Sequence, residues 1–217
     1  MKFLELRPFI KLALSSRTSG KLISLDVGKK YVGLAFSDES KVFVNPASTL
    51  NRVQAASLAA ANGYFQVYKK KERMCDSAVS YLATNLQAVI NKENVCGVVV
   101  GIPLKDGEPT GFCQEIVDLM LRLKCTLPNQ SLPMLAANET TSSFTITDAE
   151  AGTETEANAM PFTLWDEQYS TMESRRLVAQ STDKRSVYLK HKDSVAAAVI
   201  LQKFLTFAEA EGGRGAK

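Results

Sequence analysis

The sequence predicts an α/β domain built on one mixed sheet, with a three-strand antiparallel meander, then parallel strands, and with helices on both faces. Apolar runs at 22–27 and 31–36 lie three residues apart, as the arms of a β-hairpin do, and a third short run follows at 41–45. A continuously apolar, β-branched run at 95–103 is typical of a parallel strand covered on both faces. Apolar residues at helical spacing separate the later strands, which indicates strand–helix alternation.

The elements are predicted in this chain order: strands at 22–27, 31–36 and 41–45, a helix at 74–92, a strand at 95–103, a helix at 113–125, a strand at 162–165 and a helix at 190–209. Pro46 is expected to stop the third strand, because proline cannot donate to a strand ladder. The Ala-rich stretch 52–62 permits a further helix, and Ser170 with Glu173 fits a capping box that opens another.

The charge of the chain is unevenly distributed. The 217 residues carry 26 Lys and Arg against 23 Asp and Glu, a net charge of +3. Five of the acids lie in residues 131–160, which contain no Lys or Arg, so the rest of the chain has 26 basic against 18 acidic residues, or +8. A moderately basic body of this kind suits a polyanionic partner such as nucleic acid.

Composition also predicts the domain organisation. Residues 131–160 are rich in Ala, Thr, Ser, Asn and Glu, a composition that favours a disordered insertion. We expect an N-terminal extension at 1–20, a single domain at 21–210 that contains this insertion, and a tail at 211–217. A chain of this length is ample for one hydrophobic core.

Cysteine usage and hydropathy predict a soluble, intracellular, cytoplasmic protein without a membrane segment. The four cysteines form no Cys-x-x-Cys pair, and the single histidine cannot complete a zinc site with them. No run approaches the roughly 18 apolar residues of a membrane span. The basic, Ser-containing first 20 residues also resemble an organellar transit sequence, for chloroplast or mitochondrion, or form an extra helix beginning near Pro8.

Acidic residues end two of the predicted strands and begin the apolar face of the last helix. Asp26 ends the first strand, where a carboxylate is costly to bury unless it is paired or holds a metal. Asp166 and Glu167 end the strand at 162–165, and strand alternation turns only one of them toward Asp26, without deciding which. Asp193 precedes the apolar stripe of residues 196–204 at helical spacing, so we expect it to face the sheet, unless it is a first-turn acid favoured by the helix dipole.

Four blocks of the sequence, in order, are similar to the motifs of one known family. They are residues 25–38 (an Asp-x-Gly hairpin), 98–107 (a glycine-proline strand end), 164–171 (an Asp-Glu-x-x-Ser-Thr motif) and 193–202 (an Asp-led helix). Together they resemble the YqgF/RuvX family of the RNase H-like superfamily, described as Holliday junction resolvases or pre-16S ribosomal RNA nucleases. The resemblance implies an RNase H-like fold.

The same resemblance implies a hydrolase that cleaves phosphodiester bonds with Asp26, Glu167 and Asp193 as both catalytic residues and metal ligands. The family pattern favours Glu167 over Asp166. Converging carboxylates repel one another unless cations neutralise them, and hard oxygen ligands select Mg²⁺ or Mn²⁺. We expect two ions, as in other two-metal phosphodiesterases. One departure is Gln168, where the family has Arg.

Basic residues lie close to Asp193 in the sequence. Lys184, Arg185, Lys190 and Lys192 are predicted to bind nucleic acid, because phosphate-binding groups beside the acids would suit such a substrate. The alternative is a solvated start of the last helix.

The function predicted from the sequence is metal-dependent processing of the 5′ end of a ribosomal RNA precursor. A Holliday junction resolvase acting on branched DNA, and a non-catalytic RNA-binding or ribosome-assembly factor, are the alternatives. The predicted partners are nucleic acid, a ribosomal particle and a second copy of the chain in a homodimer. An actin-like ATPase is disfavoured, because the chain has no second hairpin domain to enclose a nucleotide and no Gly-x-x-x-x-Gly-Lys loop.

Overall fold

The computed structural model describes residues 1–15, 18–52, 76–105, 108–123, 125–126, 159–167 and 185–214, of which 76–77, 105, 185–191 and 212–214 are described by their backbone alone. The elements are β1 (Lys2–Phe3), α1 (Leu6–Ala13), β2 (Lys21–Val27), β3 (Tyr31–Ser37), β4 (Val44–Asn51), α2 (Asp76–Glu93), β5 (Val95–Ile102), β6 (Leu104–Lys105), β7 (Glu108–Pro109), α3 (Gly111–Arg122), β8 (Pro161–Asp166) and α4 (Arg185–Arg214).

The described strands form one large mixed sheet in the order β1-β8-β5-β2-β3-β4, with β6 and β7 as a separate small hairpin. Strands β2, β3 and β4 form an antiparallel meander. Strand β5 pairs in parallel with β2, β8 pairs in parallel with β5, and β1 pairs in parallel with β8. The predicted meander followed by parallel strands is therefore confirmed.

Helices cover both faces of this sheet, as the sequence predicts. On one face, α2 and α3 pack through residues such as Leu86 and Met120 against Leu25 of β2. On the other face, α1 and α4 pack against Leu22 and Val99. All eight residues of β5 are buried, which explains why its sequence is continuously apolar.

The third strand of the meander is displaced from its predicted position. It was expected at 41–45 with Pro46 as its end, but β4 begins at Val44 and continues through Pro46 to Asn51. Residues 38–43 instead form a turn in which Asp38 Oδ1 accepts the backbone N–H of Val42. Proline is tolerated because β4 is the edge of the sheet and its register with β3 shifts beside Pro46. The predicted bounds are therefore wrong.

The N-terminal residues take part in the fold. Residues Lys2 and Phe3 pair with Pro161 and Phe162 of β8. Helix α1 begins at Leu6, slightly before the predicted start near Pro8, and Pro8 sits in the first turn, where its missing N–H costs no hydrogen bond. The division of the chain into extension, domain and tail stays a prediction.

Some of the predicted segments lie outside the described residues. These are the Ala-rich stretch after residue 52, the capping box at 170–173 and residues 131–158 of the expected insertion. Where the description resumes, Ala159 pairs with Thr126, and Met160 is fully buried. No helix within the described part of the chain is long and apolar enough to span a membrane.

We predict that Ser24→Ala destabilises the protein by about 1–2 kcal/mol, because the buried Ser24 hydroxyl donates a hydrogen bond of 2.7 Å to the Ala197 carbonyl and so ties α4 to β2. The matched control is Thr84→Ala, which removes an exposed hydroxyl that bonds the Ser80 carbonyl within α2. Urea unfolding of both variants measures the difference, and equal losses would contradict the prediction.

Candidate functional site

Asp26 lies near the carboxyl end of β2, between two glycines on the neighbouring strands. It is in register with Gly33 of the antiparallel β3 and with Gly101 of the parallel β5. Neither neighbour carries a side chain, so the sheet has a recess on both sides of the Asp26 carboxylate. Two other chain segments enter that recess.

Helix α4 enters the recess over Gly33. A Cβ atom at Gly33 would collide with the backbone carbonyl of Asp193 and crowd the nitrogen of Ser194. Only glycine therefore permits this approach of helix to strand. The close packing brings Asp193 to Asp26, as the sequence predicts for an acid that leads the apolar face of the last helix.

The Glu167 side chain occupies the space above Gly101. A Cβ atom at Gly101 would lie 2.6 Å from Glu167 Oε2 and 2.5 Å from Cδ1 of Ile200. The Glu167 N–H donates a 3.0 Å hydrogen bond to the Ile102 carbonyl, which fixes the backbone just beyond β8. Asp166, the last residue of β8, is exposed. The structure therefore brings Glu167, and not Asp166, to Asp26.

Burial makes the charged form of Asp26 costly. It raises the pKa of Asp26 from 3.8 to about 6, and the charge of Asp193 adds to the shift. A hydrogen bond from Glu167 and the positive charge of Lys192 act in the opposite direction. The Asp26 carboxylate is thus held by a neighbouring acid that donates to it.

Glu167 is the more strongly perturbed of the two acids. Burial, followed by the charge of Asp26 and the hydrogen bond that the two carboxyls share, raises the pKa of Glu167 from 4.5 to about 8. Glu167 therefore carries the shared proton at neutral pH. Its Oε2 atom is buried and has no hydrogen-bond partner among the described residues. Such an atom is costly to leave unsatisfied and fits a site that receives a ligand.

The acids form a contacting pair with a third carboxylate nearby. Asp193 Oδ1 lies 3.7 Å from Lys192 Nζ, a partly exposed ion pair at the rim of the recess. Within the described residues, no group of three or more His, Cys, Asp or Glu side chains is arranged closely enough to hold a metal ion as it stands. The donor chemistry nonetheless fits Mg²⁺ or Mn²⁺, because it consists of carboxylate oxygens and includes the unsatisfied Glu167 Oε2.

The predicted nucleic-acid-binding residues are only partly described. Lys192 is placed beside Asp193, with 44% of its side chain exposed. Arg185 and Lys190 lie in α4, described by backbone alone, and Lys184 lies outside the described residues, as does Gln168. Their roles stay predictions, as do those of Asp26, Glu167 and Asp193.

Sequence reasoning missed the two glycines that form the recess. Gly33 and Gly101 were noted only as parts of longer motifs. A glycine inside a strand often marks a place where another backbone or a ligand approaches closely, and that signal was present at both positions. Ser24 was also missed, because a serine in an apolar run gives no sign of a partner far away in the sequence.

The topology of the sheet agrees with the fold class that the sequence predicts. A three-strand meander followed by two parallel strands, in the order β4-β3-β2-β5-β8, is the RNase H-like arrangement. The family model described as "RuvX: Holliday junction resolvase" matches residues 151–206, which include Glu167 and Asp193. Over these residues the chain is similar to the family that this model describes.

Similar proteins match over most of the chain. A protein of Bartonella quintana (strain Toulouse) is 28% identical over 83% of this chain and 80% of its own length. One of Paramagnetospirillum magneticum (strain ATCC 700264 / AMB-1) is 27% identical over 92% and 94%. One of Staphylococcus haemolyticus (strain JCSC1435) is 28% identical over 85% and 94%. All three carry the name "Putative pre-16S rRNA nuclease".

A solved structure, "T. thermophilus RuvC in complex with Holliday junction substrate", also aligns with the chain. It is 8% identical, with a TM-score of 0.39, and the alignment covers 89% of this chain and 96% of that one.

We predict that the metal-free protein loses stability as pH rises from about 4.5 to 8. Asp26 and Glu167 bind protons more tightly in the folded than in the unfolded chain. The stabilisation that this proton binding gives is therefore lost as pH rises through about 6 for Asp26 and about 8 for Glu167. The loss should be on the order of 1–3 kcal/mol, and Asp26→Asn or Glu167→Gln should flatten it. Thermal unfolding in EDTA across this range measures the effect.

The control for that experiment is Glu115→Gln, which neutralises an exposed acid on α3. A pH profile changed as much by this control as by Glu167→Gln would contradict the prediction.

We predict that Gly33→Ala disrupts the site, because the new methyl group must push α4 away from β3. The cost should be about 1–3 kcal/mol in stability, together with weaker Mn²⁺ binding by calorimetry. The control is Gly111→Ala in the first turn of α3, where a Cβ would meet no atom of the described residues within 4 Å. If Gly33→Ala has the same free energy of unfolding and the same Mn²⁺ affinity as the control, the close packing does not position Asp193.

Proposed function

We propose that the chain is a nuclease that hydrolyses phosphodiester bonds in structured nucleic acid with the help of Mg²⁺ or Mn²⁺, and that its substrate is a ribosomal RNA precursor. The observation that carries the proposal is the pair of contacting acids, Asp26 and Glu167, with Asp193 brought beside them by the recess at Gly33 and Gly101. Carboxylates that converge on one place repel one another once they are ionised, so an arrangement of this kind favours a cation-binding role.

Asp26, Glu167 and Asp193 would hold the ions. When bound, divalent ions generate a nucleophile from water and stabilise the leaving oxygen. The protein's part is to supply ionised carboxylates in a fixed place. Glu167 must give up the proton that it shares with Asp26 before both acids can serve as ligands, so metal uptake should release a proton near neutral pH.

The names of the relatives support the choice of substrate. Proteins that match 83–92% of this chain carry the name "Putative pre-16S rRNA nuclease". The alternative substrate, a four-way DNA junction, is favoured by the description of the family whose model matches residues 151–206. The proposal takes the first substrate, because those relatives match far more of the chain.

The test compares wild type with Asp26→Asn on a labelled precursor ribosomal RNA 5′ end and on a four-way DNA junction, in Mg²⁺, in Mn²⁺ and in EDTA. We expect wild type to cut the RNA in either metal and not in EDTA. Asp26→Asn should lower the cleavage rate by about 100-fold or more. Loss of a metal ligand should lower activity at least as much as loss of a residue that only orients a ligand. Glu115→Gln should cut like wild type.

Each other outcome overturns part of the proposal. Cutting of the junction alone would favour the resolvase. Equal cutting by Asp26→Asn, with contaminating nucleases excluded by the purification controls, would remove the acids from catalysis. Binding of the RNA that survives EDTA and Asp26→Asn, without cutting by either protein, would favour the ribosome-assembly factor.

A further inference from the structure

The β2–β3 turn, Gly28–Tyr31, carries positive charge at the same end of the sheet as the acids. It begins two residues after Asp26, and its two lysines, Lys29 and Lys30, are both exposed. At about 3.3 Å per residue, Lys29 is roughly 10 Å along the chain from Asp26. Within the described residues, neither lysine forms a salt bridge.

Hydrogen bonds hold this turn in one conformation. The Gly28 N–H donates to the Tyr31 carbonyl at 2.9 Å, which closes the turn. Arg52, just after β4, crosses it from the neighbouring strand: its Nη1 donates to the Gly28 carbonyl at 2.6 Å and its backbone N–H to the Lys30 carbonyl at 2.9 Å. Arg52 therefore fixes the backbone of the turn through both its side chain and its backbone N–H.

We propose that the turn Gly28–Tyr31 is a phosphate-binding platform, on which Lys29 and Lys30 hold the backbone of the nucleic acid whose scissile bond lies at Asp26. This inference rests on the proposed function and adds a surface to it. A phosphodiester chain that approaches Asp26 and Asp193 is repelled by their charge, so cations on both sides of the acids lower the cost of approach. Lys192 lies on the α4 side, and the turn supplies the β2 side.

A prepositioned platform also lowers the entropy lost on binding. The backbone of the turn is already ordered by Arg52, so only the lysine side chains lose freedom when phosphate binds. Contacts of this kind position a nucleic acid and carry no sequence information. We therefore expect the platform to strengthen binding equally for different sequences.

The test is fluorescence anisotropy with a labelled precursor ribosomal RNA 5′ end, in Ca²⁺ in place of Mg²⁺ and over a range of salt concentrations. The variant is Lys29→Gln with Lys30→Gln. The control is Lys11→Gln with Lys92→Gln, which removes the same charge from exposed lysines in the last turns of α1 and α2, at the opposite end of the sheet. Melting temperatures of both variants check that the fold is intact.

We expect the turn variant to bind about tenfold more weakly at low salt and to lower the slope of log K against log salt by roughly 1.4–1.8, at 0.7–0.9 for each lost phosphate contact. Its cleavage in Mg²⁺ should show a raised KM and an unchanged kcat. The control should keep the wild-type slope.

The failures of the two proposals are distinguishable. If wild type binds and cuts while the turn variant keeps the slope of the control, the platform is overturned and the nuclease stands. If wild type binds but does not cut, the nuclease is overturned, and the slopes still decide the platform. If wild type does not bind the RNA, both are overturned.

Discussion

The site depends on one steric constraint, the absence of side chains on both sides of Asp26. Gly33 lets α4 lie against the backbone of β3, and Gly101 leaves room for the Glu167 carboxyl. A methyl group at either position would exclude one of the acids from the recess. The buried hydrogen bond from Ser24 to the Ala197 carbonyl then fixes α4 on the strand that carries Asp26. Asp193 is thus positioned by the packing of the α4 backbone on β3, and the Glu167 carboxyl by the space above Gly101.

That packing brings carboxylates that repel one another close together. In the metal-free protein, a proton on Glu167 and the positive charge of Lys192 reduce this repulsion. Glu167 keeps its proton near neutral pH and donates a hydrogen bond to the Asp26 carboxylate, so the pair behaves more like one negative charge than two. Lys192 offsets part of the remaining charge from the rim of the recess. Both compensations can be displaced, because a proton dissociates and a partly exposed lysine can turn outward. A cation could then take their place without a change in the fold.

Sequence patterns predicted the elements whose environment is uniform. Strand β5 is buried throughout and was found from its apolar run alone. The edge strand β4 was misplaced, because proline ends a central strand but is tolerated at an edge, and a local pattern does not tell the two apart. Asp26 could be found from the cost of burying a carboxylate in a strand. The choice of Glu167 over Asp166 required the family resemblance. Strand alternation places the two side chains on opposite faces of the sheet without telling which one faces Asp26, and the recess at Gly101 exists only in the folded chain.

The topology explains why residues so far apart in the sequence meet at one place. Strands β2, β5 and β8 are parallel, so their carboxyl ends lie at the same edge of the sheet, and the chain must leave the sheet there. Asp26 and Glu167 come from two of these strand ends. The turn that carries Lys29 and Lys30 follows β2 at the same edge, and Asp193 reaches it from α4. The acids proposed to hold cations and the lysines proposed to bind phosphate are therefore neighbours because of strand direction, and hydrolysis of an anionic substrate at acidic residues would need both.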